Sequence, residues 1–114
     1  MTQSRIEVFQ ELLKTQPDDV MIWYGLASEY TKLSDWTAAT DALEKVIKLN
    51  SSYTAAYQML GSALINQGKL VEARDIWQKG IEVANQTGAW KAKQHMEGLL
   101  ANANSQINSG FCSS

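Results

Sequence analysis

The same pattern of apolar and small residues occurs twice along this chain. The first block begins at Trp23, and the second begins at Tyr57. Within each block they fall at helical spacings, which indicates helices with one buried face. The matching positions are Trp23, Leu26, Ala27, Tyr30 and Tyr57, Leu60, Gly61, Leu64 in a first helix, and Ala39, Leu43, Ile47 and Ala73, Trp77, Ile81 in a second. A period of about 34 residues is typical of stacked helical hairpins, since each hairpin has an apolar face that only a neighbour can bury.

The pattern continues beyond the two blocks in both directions. Phe9 and Leu13 lie one such period before Leu43 and Ile47 and match the second helix of a hairpin. After the second block the register fails, but apolar residues still fall on one helical face, as expected of a terminal capping helix. The predicted elements are a half-repeat helix (4–14), repeat 1 (20–50), repeat 2 (54–87), a capping helix (89–104) and a flexible tail (105–114) rich in Asn, Ser and Gly.

These residues resemble the tetratricopeptide repeat, whose pattern is W-x2-L-G-x2-Y, then A-x3-F and a closing proline. The units read Trp23-x2-Leu26-Ala27-x2-Tyr30 with Ala39-x3-Leu43, and Tyr57-x2-Leu60-Gly61-x2-Leu64 with Ala73-x3-Trp77. The resemblance is to small, bacterial-type, single-domain members and is closest over residues 4–87. It implies an all-α, right-handed solenoid of antiparallel helical hairpins, in which two full units are flanked by an N-terminal half-repeat helix and a C-terminal capping helix.

One turn departs from the pattern. Gly68 follows the first helix of the second hairpin, where a left-handed backbone is usual and glycine carries no steric cost. Ser34 stands at the equivalent position of the first hairpin. We therefore expect that turn to be strained or rearranged.

Composition favours one small globular domain over residues 1–104. Of the 114 residues, 45 % are hydrophobic and 19 % are charged, and no run approaches the roughly 18 apolar residues of a membrane span. The segment 1–14 is predicted to form an amphipathic helix that carries Arg5, Glu7, Glu11 and Lys14, and it does not resemble a signal peptide. A soluble, cytoplasmic protein without a membrane partner is the expectation. The net charge of −2, with basic residues scattered singly, argues against nucleic acid as a partner.

Residues suited to catalysis or metal binding are few. The chain has a single histidine, His95, and a single cysteine, Cys112, which lies in the predicted tail. A thiol enzyme or zinc site needs several such groups at fixed geometry. The acidic pair Asp18 and Asp19 precedes a predicted helix and fits helix capping. We therefore expect no enzyme activity, no cofactor and no metal site.

The remaining candidate is the concave surface formed by the first helix of each hairpin. Once the core positions are removed, its inward-facing residues are predicted to be Met21, Tyr24, Ser28, Thr31, Lys32, Ala55, Gln58, Met59, Ser62, Ile65 and Asn66. Family members that clamp the C-terminal carboxylates of chaperones carry Lys, Asn and Arg at such positions. Here Tyr24, Ser28, Gln58 and Ser62 stand there, so the resemblance does not extend to that clamp.

These features predict a non-catalytic adaptor that binds a short peptide segment of a protein partner in the concave groove. An alternative is structural self-association, as a homodimer joined through the solenoid edge that Phe9, Leu12 and Leu13 leave exposed. Neither the partner nor the oligomeric state follows from the sequence.

Overall fold

The computed structural model describes the backbone of residues 2–113 and the side chains of residues 5–107. Over that part the chain forms six α-helices joined by short turns, and no strand. The helices are α1 (Thr2–Thr15), α2 (Val20–Lys32), α3 (Trp36–Leu49), α4 (Thr54–Asn66), α5 (Leu70–Thr87) and α6 (Trp90–Ser113). Each helix packs against the next along the chain. The predicted all-α helical repeat is confirmed.

The small residue of the repeat pattern sets how closely two helices of a hairpin approach. Ala27 and Tyr57 are almost fully buried, and Trp77 of α5 lies directly on Gly61 of α4. A Cβ atom built on Gly61 would overlap the indole ring of Trp77. The glycine therefore makes room for the large aromatic residue that replaces Leu43 in this unit.

Helix capping follows the polar residues of the turns. The Asp19 carboxylate accepts a hydrogen bond from the Met21 backbone N–H (2.9 Å), and Asp35 accepts one from Ala38 N–H (3.3 Å). Ser34 adopts the left-handed conformation, φ 58°, that Gly68 adopts with φ 77°. The predicted strain at Ser34 thus takes the form of a positive φ at a side chain with a Cβ, without a change of turn geometry.

Helix α1 docks on α2 through two of the three residues that were expected to form an open edge. Phe9 packs over Gly25, where an added Cβ would lie 2.7 Å from the Phe9 Cζ atom, and Leu13 packs against the core. Only Leu12 remains exposed, together with Val8. The edge prediction was therefore wrong for Phe9 and Leu13, because Gly25 leaves space for the Phe9 ring.

Helix α6 is longer than predicted. Its buried residues Met96 and Ala103 cover α5, and a Cβ on Gly80 would lie 2.6 Å from the Met96 sulfur. The helix continues to Ser113, through the segment predicted to be a flexible tail, because Ile107 extends the apolar face and no proline interrupts it. The Cys112 side chain lies outside the described residues. Over the described residues, no helix is long and apolar enough to cross a membrane.

Candidate functional site

The first helices of successive hairpins, α2, α4 and α6, lie side by side along one face of the molecule. Side chains from all three meet in one hollow, and α4 also contacts α6 directly. Helix α6, which was predicted only to cap the stack, therefore forms the third wall of the groove. We call this surface the concave groove.

One hollow in the groove lies where α2, α4 and α6 meet. It has a volume of about 250 Å³ and is named the His95 hollow after its one residue from α6. The residues that line it are Tyr24, Ala55, Gln58, Met59, Ser62 and His95. Their side chains present aromatic and thioether surface beside an amide, a hydroxyl and an imidazole.

A second hollow of about 190 Å³ adjoins it toward the C-terminal end of α4. We call it the Trp77 hollow. Its apolar lining is Ile65, Trp77, Leu99 and Ala103, and its polar lining is Ser62, Asn66, Asn102 and Gln106. Since Ser62 lines both hollows, they form one continuous surface along α4. From Met59 to Ile65 the helix rises about 9 Å.

Hydrogen bonds within α4 hold part of this surface in place. The Ser62 hydroxyl donates to the Gln58 carbonyl (3.3 Å), and the Asn66 side-chain amide donates to the Ser62 carbonyl (2.9 Å). The Trp77 indole N–H also donates to the Gln58 carbonyl (3.3 Å). The wall between the two hollows is therefore tied to the core through Trp77.

An aromatic cluster stands at the α2 side of the groove. The rings of Tyr24 and Tyr53 lie 5.1 Å apart at an angle of 42°, and the Tyr53 hydroxyl lies 3.6 Å from the Met21 sulfur. Burial raises the pKa of the Tyr24 hydroxyl above its ordinary value, and the neighbouring Tyr53 raises it further. Both effects favour the neutral phenol, which can donate a hydrogen bond.

The groove carries little charge. Among the described residues that line the two hollows, none is Asp, Glu, Lys or Arg. Lys32, a predicted groove residue, instead forms an ion pair with Glu29 (2.9 Å). The Glu29 carboxylate is buried, its side chain 4 % exposed, and the hydrogen bond from Lys32 lowers its pKa below the ordinary value.

The structure brings together part of the predicted set. Seven of the predicted residues line the two hollows: Tyr24, Ala55, Gln58, Met59, Ser62, Ile65 and Asn66. Four do not line either hollow: Met21, Ser28, Thr31 and Lys32. The Thr31 hydroxyl donates to the Ala27 carbonyl within its own helix (2.8 Å), and Met21 lies beside Tyr53.

Sequence reasoning missed the residues that α6 contributes to the groove. His95, Leu99, Asn102 and Gln106 follow one another at spacings of four, three and four, which place them on one side of a helix. That spacing could have identified them. They were missed because the repeat register fails after the second block, so no repeat equivalent pointed to them.

Among the described side chains, no group of three or more His, Cys, Asp or Glu residues is placed to hold a metal ion. The groove offers aromatic, aliphatic, amide and hydroxyl groups around one imidazole. Such groups bind a ligand by apolar contact and neutral hydrogen bonds.

Comparison with known proteins identifies the fold. The family model of the tetratricopeptide repeat matches residues 30–96. The chain is 28 % identical over 95 residues to a TPR repeat-containing protein of Pseudomonas aeruginosa, covering 83 % of this chain and 90 % of that protein. It spans much less of some longer relatives, for example 22 % of the small glutamine-rich tetratricopeptide repeat-containing protein 2 of Mycosarcoma maydis.

Two solved structures show the same architecture. The translocator chaperone SycD of the Yersinia enterocolitica type III secretion system superposes with a TM-score of 0.87 at 15 % identity, over 94 % of this chain and 74 % of that one. The first TPR domain of Spaghetti bound to the HSP90 peptide SRMEEVD superposes with a TM-score of 0.79 at 21 % identity, over 90 % and 77 %. Repeats of this kind are in general non-catalytic protein-interaction modules. With more than half of its residues matched by the family model, the chain belongs to the tetratricopeptide repeat family.

Proposed function

We propose that this protein is a non-catalytic adaptor that binds a short, uncharged peptide segment of a partner protein in the concave groove. The observation that carries the proposal is the pair of adjoining hollows along α4, which share Ser62 and whose lining contains no Asp, Glu, Lys or Arg among the described residues. Removing a charged side chain of a ligand from water costs free energy, and a groove without Asp, Glu, Lys or Arg has no opposite charge to offset that cost. The groove therefore favours an uncharged ligand.

The two hollows suit two apolar side chains of one extended segment. Their centres on α4 are separated by about 9 Å, the rise from Met59 to Ile65. An extended peptide advances about 3.3 Å per residue, so this distance corresponds to about three residues. The amides of Asn66, Asn102 and Gln106 border the Trp77 hollow and are suited to hydrogen bonds with a peptide backbone.

The peptide bound by the TPR domain of Spaghetti differs in charge from the segment that we propose for this chain. That peptide, SRMEEVD, contains three acidic residues. The groove described above places Tyr24, Gln58 and Ser62 at the wall and, over its described residues, offers no Lys or Arg within the two hollows. We infer that this chain selects apolar, neutral segments and discriminates against such acidic ones.

The test is selection from a random peptide library, followed by affinity measurement with the enriched peptides. Ser62→Phe fills the space shared by both hollows and leaves the core side of α4 unchanged. Its matched control is Ser105→Phe, which places the same ring at an exposed position of α6 outside the hollows. We expect Ser62→Phe to weaken binding at least tenfold and Ser105→Phe to leave it unchanged. Equal affinity of both variants would refute the groove assignment.

The binding of a single short segment should be weak. Two small hollows of this size hold two apolar anchors, which places the expected Kd in the micromolar range or above. Fluorescence anisotropy with a labelled peptide covers that range. A labelled tandem peptide, with two copies of the segment, would show whether a multivalent partner compensates for weak single contacts.

Self-association through α1 is a second candidate, favoured by one specific observation. Val8 and Leu12 are 57 % and 38 % exposed, yet their equivalents one repeat later, Ala42 and Val46, are 2 % and 0 % exposed. A second copy that covered Val8 and Leu12 in a homodimer would bury this face of α1 as the corresponding face of α3 is buried. Light scattering at increasing concentration, with Val8→Lys as the disrupting variant, tests this alternative.

A further inference from the structure

A second open surface lies on the other side of α6, in the valley between α5 and α6. It is a shallow, open depression with a volume of about 570 Å³. Its floor is apolar, formed by Ile81 of α5 and by Leu100 and Ala101 of α6. Glu82 and Glu97, one on each wall, are the charged residues that line it. None of these side chains takes part in the concave groove, so this valley is a separate surface.

A similar valley elsewhere in the protein, between α3 and α4, has a third helix beside it. Gln78, which lines the α5–α6 valley, lies one repeat period after Glu44 and is its repeat equivalent. Glu44 lines the corresponding valley between α3 and α4, together with Leu60 and Leu64. There the third wall is a helix, α5, which contributes Ile76 and the acidic residues Glu72 and Asp75. Among the described residues, no helix takes that place over the α5–α6 valley.

The two carboxylates lie near one end of the valley. Helices α5 and α6 are antiparallel, and the contact of Gly80 with Met96 fixes their register. Glu82 lies two positions beyond Gly80, and Glu97 one position beyond Met96. Their levels along the valley therefore differ by only about 4 to 5 Å. The acidic end of the valley is the end near the turn at Gly88, while Asn104 lies toward the other end.

We propose that the α5–α6 valley binds an amphipathic helix of a partner protein, with an apolar stripe on one face and Lys or Arg in its last turn. Such a helix would pack on α6 and run antiparallel to it, as α5 packs on α4 beside the α3–α4 valley. Its C-terminal end then comes beside the start of α6, where Glu82 and Glu97 are. Basic side chains at that end pair with both carboxylates and also suit the dipole of the bound helix.

The probe is a pair of stapled helical peptides of about 16 residues and identical composition. Both carry Leu at helical spacing along one face; one has two Lys residues in its last turn and the other has them in its first turn. Fluorescence anisotropy gives the affinity of each for the full chain. We expect the peptide with C-terminal Lys residues to bind about fivefold more tightly, the gain from two solvent-exposed charge pairs.

Charge variants attribute that preference to the valley. Glu82→Gln with Glu97→Gln should abolish the difference between the two peptides. The matched control is Glu7→Gln with Asp18→Asn, which changes the net charge equally at exposed positions outside the valley and should preserve the difference.

Several outcomes would overturn the proposal. They are the absence of binding by either peptide at about 1 mM, equal affinities for the unmodified chain, and loss of the preference in the control variant. Loss of binding in Ser62→Phe would assign the peptides to the concave groove instead. Because the valley and the groove share no lining residue, either proposal can fail while the other stands.

Discussion

The contact between Gly61 and Trp77 leads to a prediction about paired substitutions. The equivalent positions of the first hairpin are Ala27 and Leu43, both fully buried. The first hairpin thus pairs alanine with leucine, whereas the second pairs the smaller glycine with the larger tryptophan. Gly61→Ala alone should destabilise the protein, and Trp77→Leu should remove much of that effect by restoring the combination of the first hairpin.

The structure gives the size of the effect. A Cβ at position 61 would lie 2.6 Å from Cδ1 of Trp77 and still closer to two other ring atoms. Trp77 is 2 % exposed and its N–H is hydrogen-bonded, so the ring cannot withdraw freely. Overpacking of this kind costs about 1 to 3 kcal/mol, and exchanging glycine for alanine in a helix recovers about 1 kcal/mol. We expect a net loss of up to about 2 kcal/mol.

Trp77→Leu is the second single variant of this double-mutant cycle. Trp77→Leu removes buried ring volume and should cost about 2 to 3 kcal/mol alone. In the double variant the added methyl group occupies part of the space that the ring leaves. The double variant should therefore be about 1.5 kcal/mol more stable than the sum of the single effects predicts.

Urea denaturation followed by far-ultraviolet circular dichroism measures all four free energies of unfolding, provided that the m-values agree. Gly98→Ala is the matched control, because a Cβ there meets no atom within 4 Å. It should stabilise the protein by up to about 1 kcal/mol, the helix propensity gain alone. Additivity of the two single effects within about 0.5 kcal/mol would refute the packing argument, as would a stabilising Gly61→Ala.

Three further predictions concern turns, caps and the buried carboxylate. Ser34→Gly should raise the free energy of unfolding by about 1 kcal/mol in a thermal melt, because it relieves a positive φ of 58°. Asp19→Ala should lower it by about 1 kcal/mol in urea, since the Met21 N–H loses its capping acceptor. Glu29 has a lowered pKa in the folded state, so its stabilisation is present above its unfolded pKa and is lost as the pH falls below about 4.5. The stability difference between the unmodified chain and Glu29→Gln should accordingly shrink between about pH 5 and pH 3, and a constant difference would contradict this.

The repeat pattern predicted the helices because each apolar position has one structural role. Leu26, Leu60 and Trp77 are buried as their spacing requires. Spacing alone could not predict that Gly25 accepts the Phe9 ring, because the glycine carries no apolar signal in either block. Nor could it predict that Glu29 is buried, because its ion pair with Arg5 joins α1 to α2 and depends on how those helices pack, while Lys32 pairs with it within α2.

The candidate site was predicted only in part for a related reason. Tyr24, Gln58 and Ser62, which line the His95 hollow, could be proposed from the sequence because α2 and α4 follow one register and their non-core positions can be compared. In α6, the Met96 side chain packs on Gly80 of α5, where the absence of a Cβ atom leaves room for it, and this contact does not follow from the repeat spacing. The contact sets the rotation of α6 about its own axis, and this rotation decides which of its residues face the groove. Only the three-dimensional packing shows it.

Helix α6 contributes to both proposed binding surfaces. Its buried residues lie between one face that lines the concave groove and another face that lines the acidic α5–α6 valley. Met96 faces the core, His95 and Asn102 line the concave groove, and Glu97 lines the valley beside α5. A change at Met96 would therefore disturb both surfaces through packing, whereas changes on either flank act on one surface only. Since both flanks belong to one helix, the proposed occupants of the two surfaces would lie on opposite sides of α6.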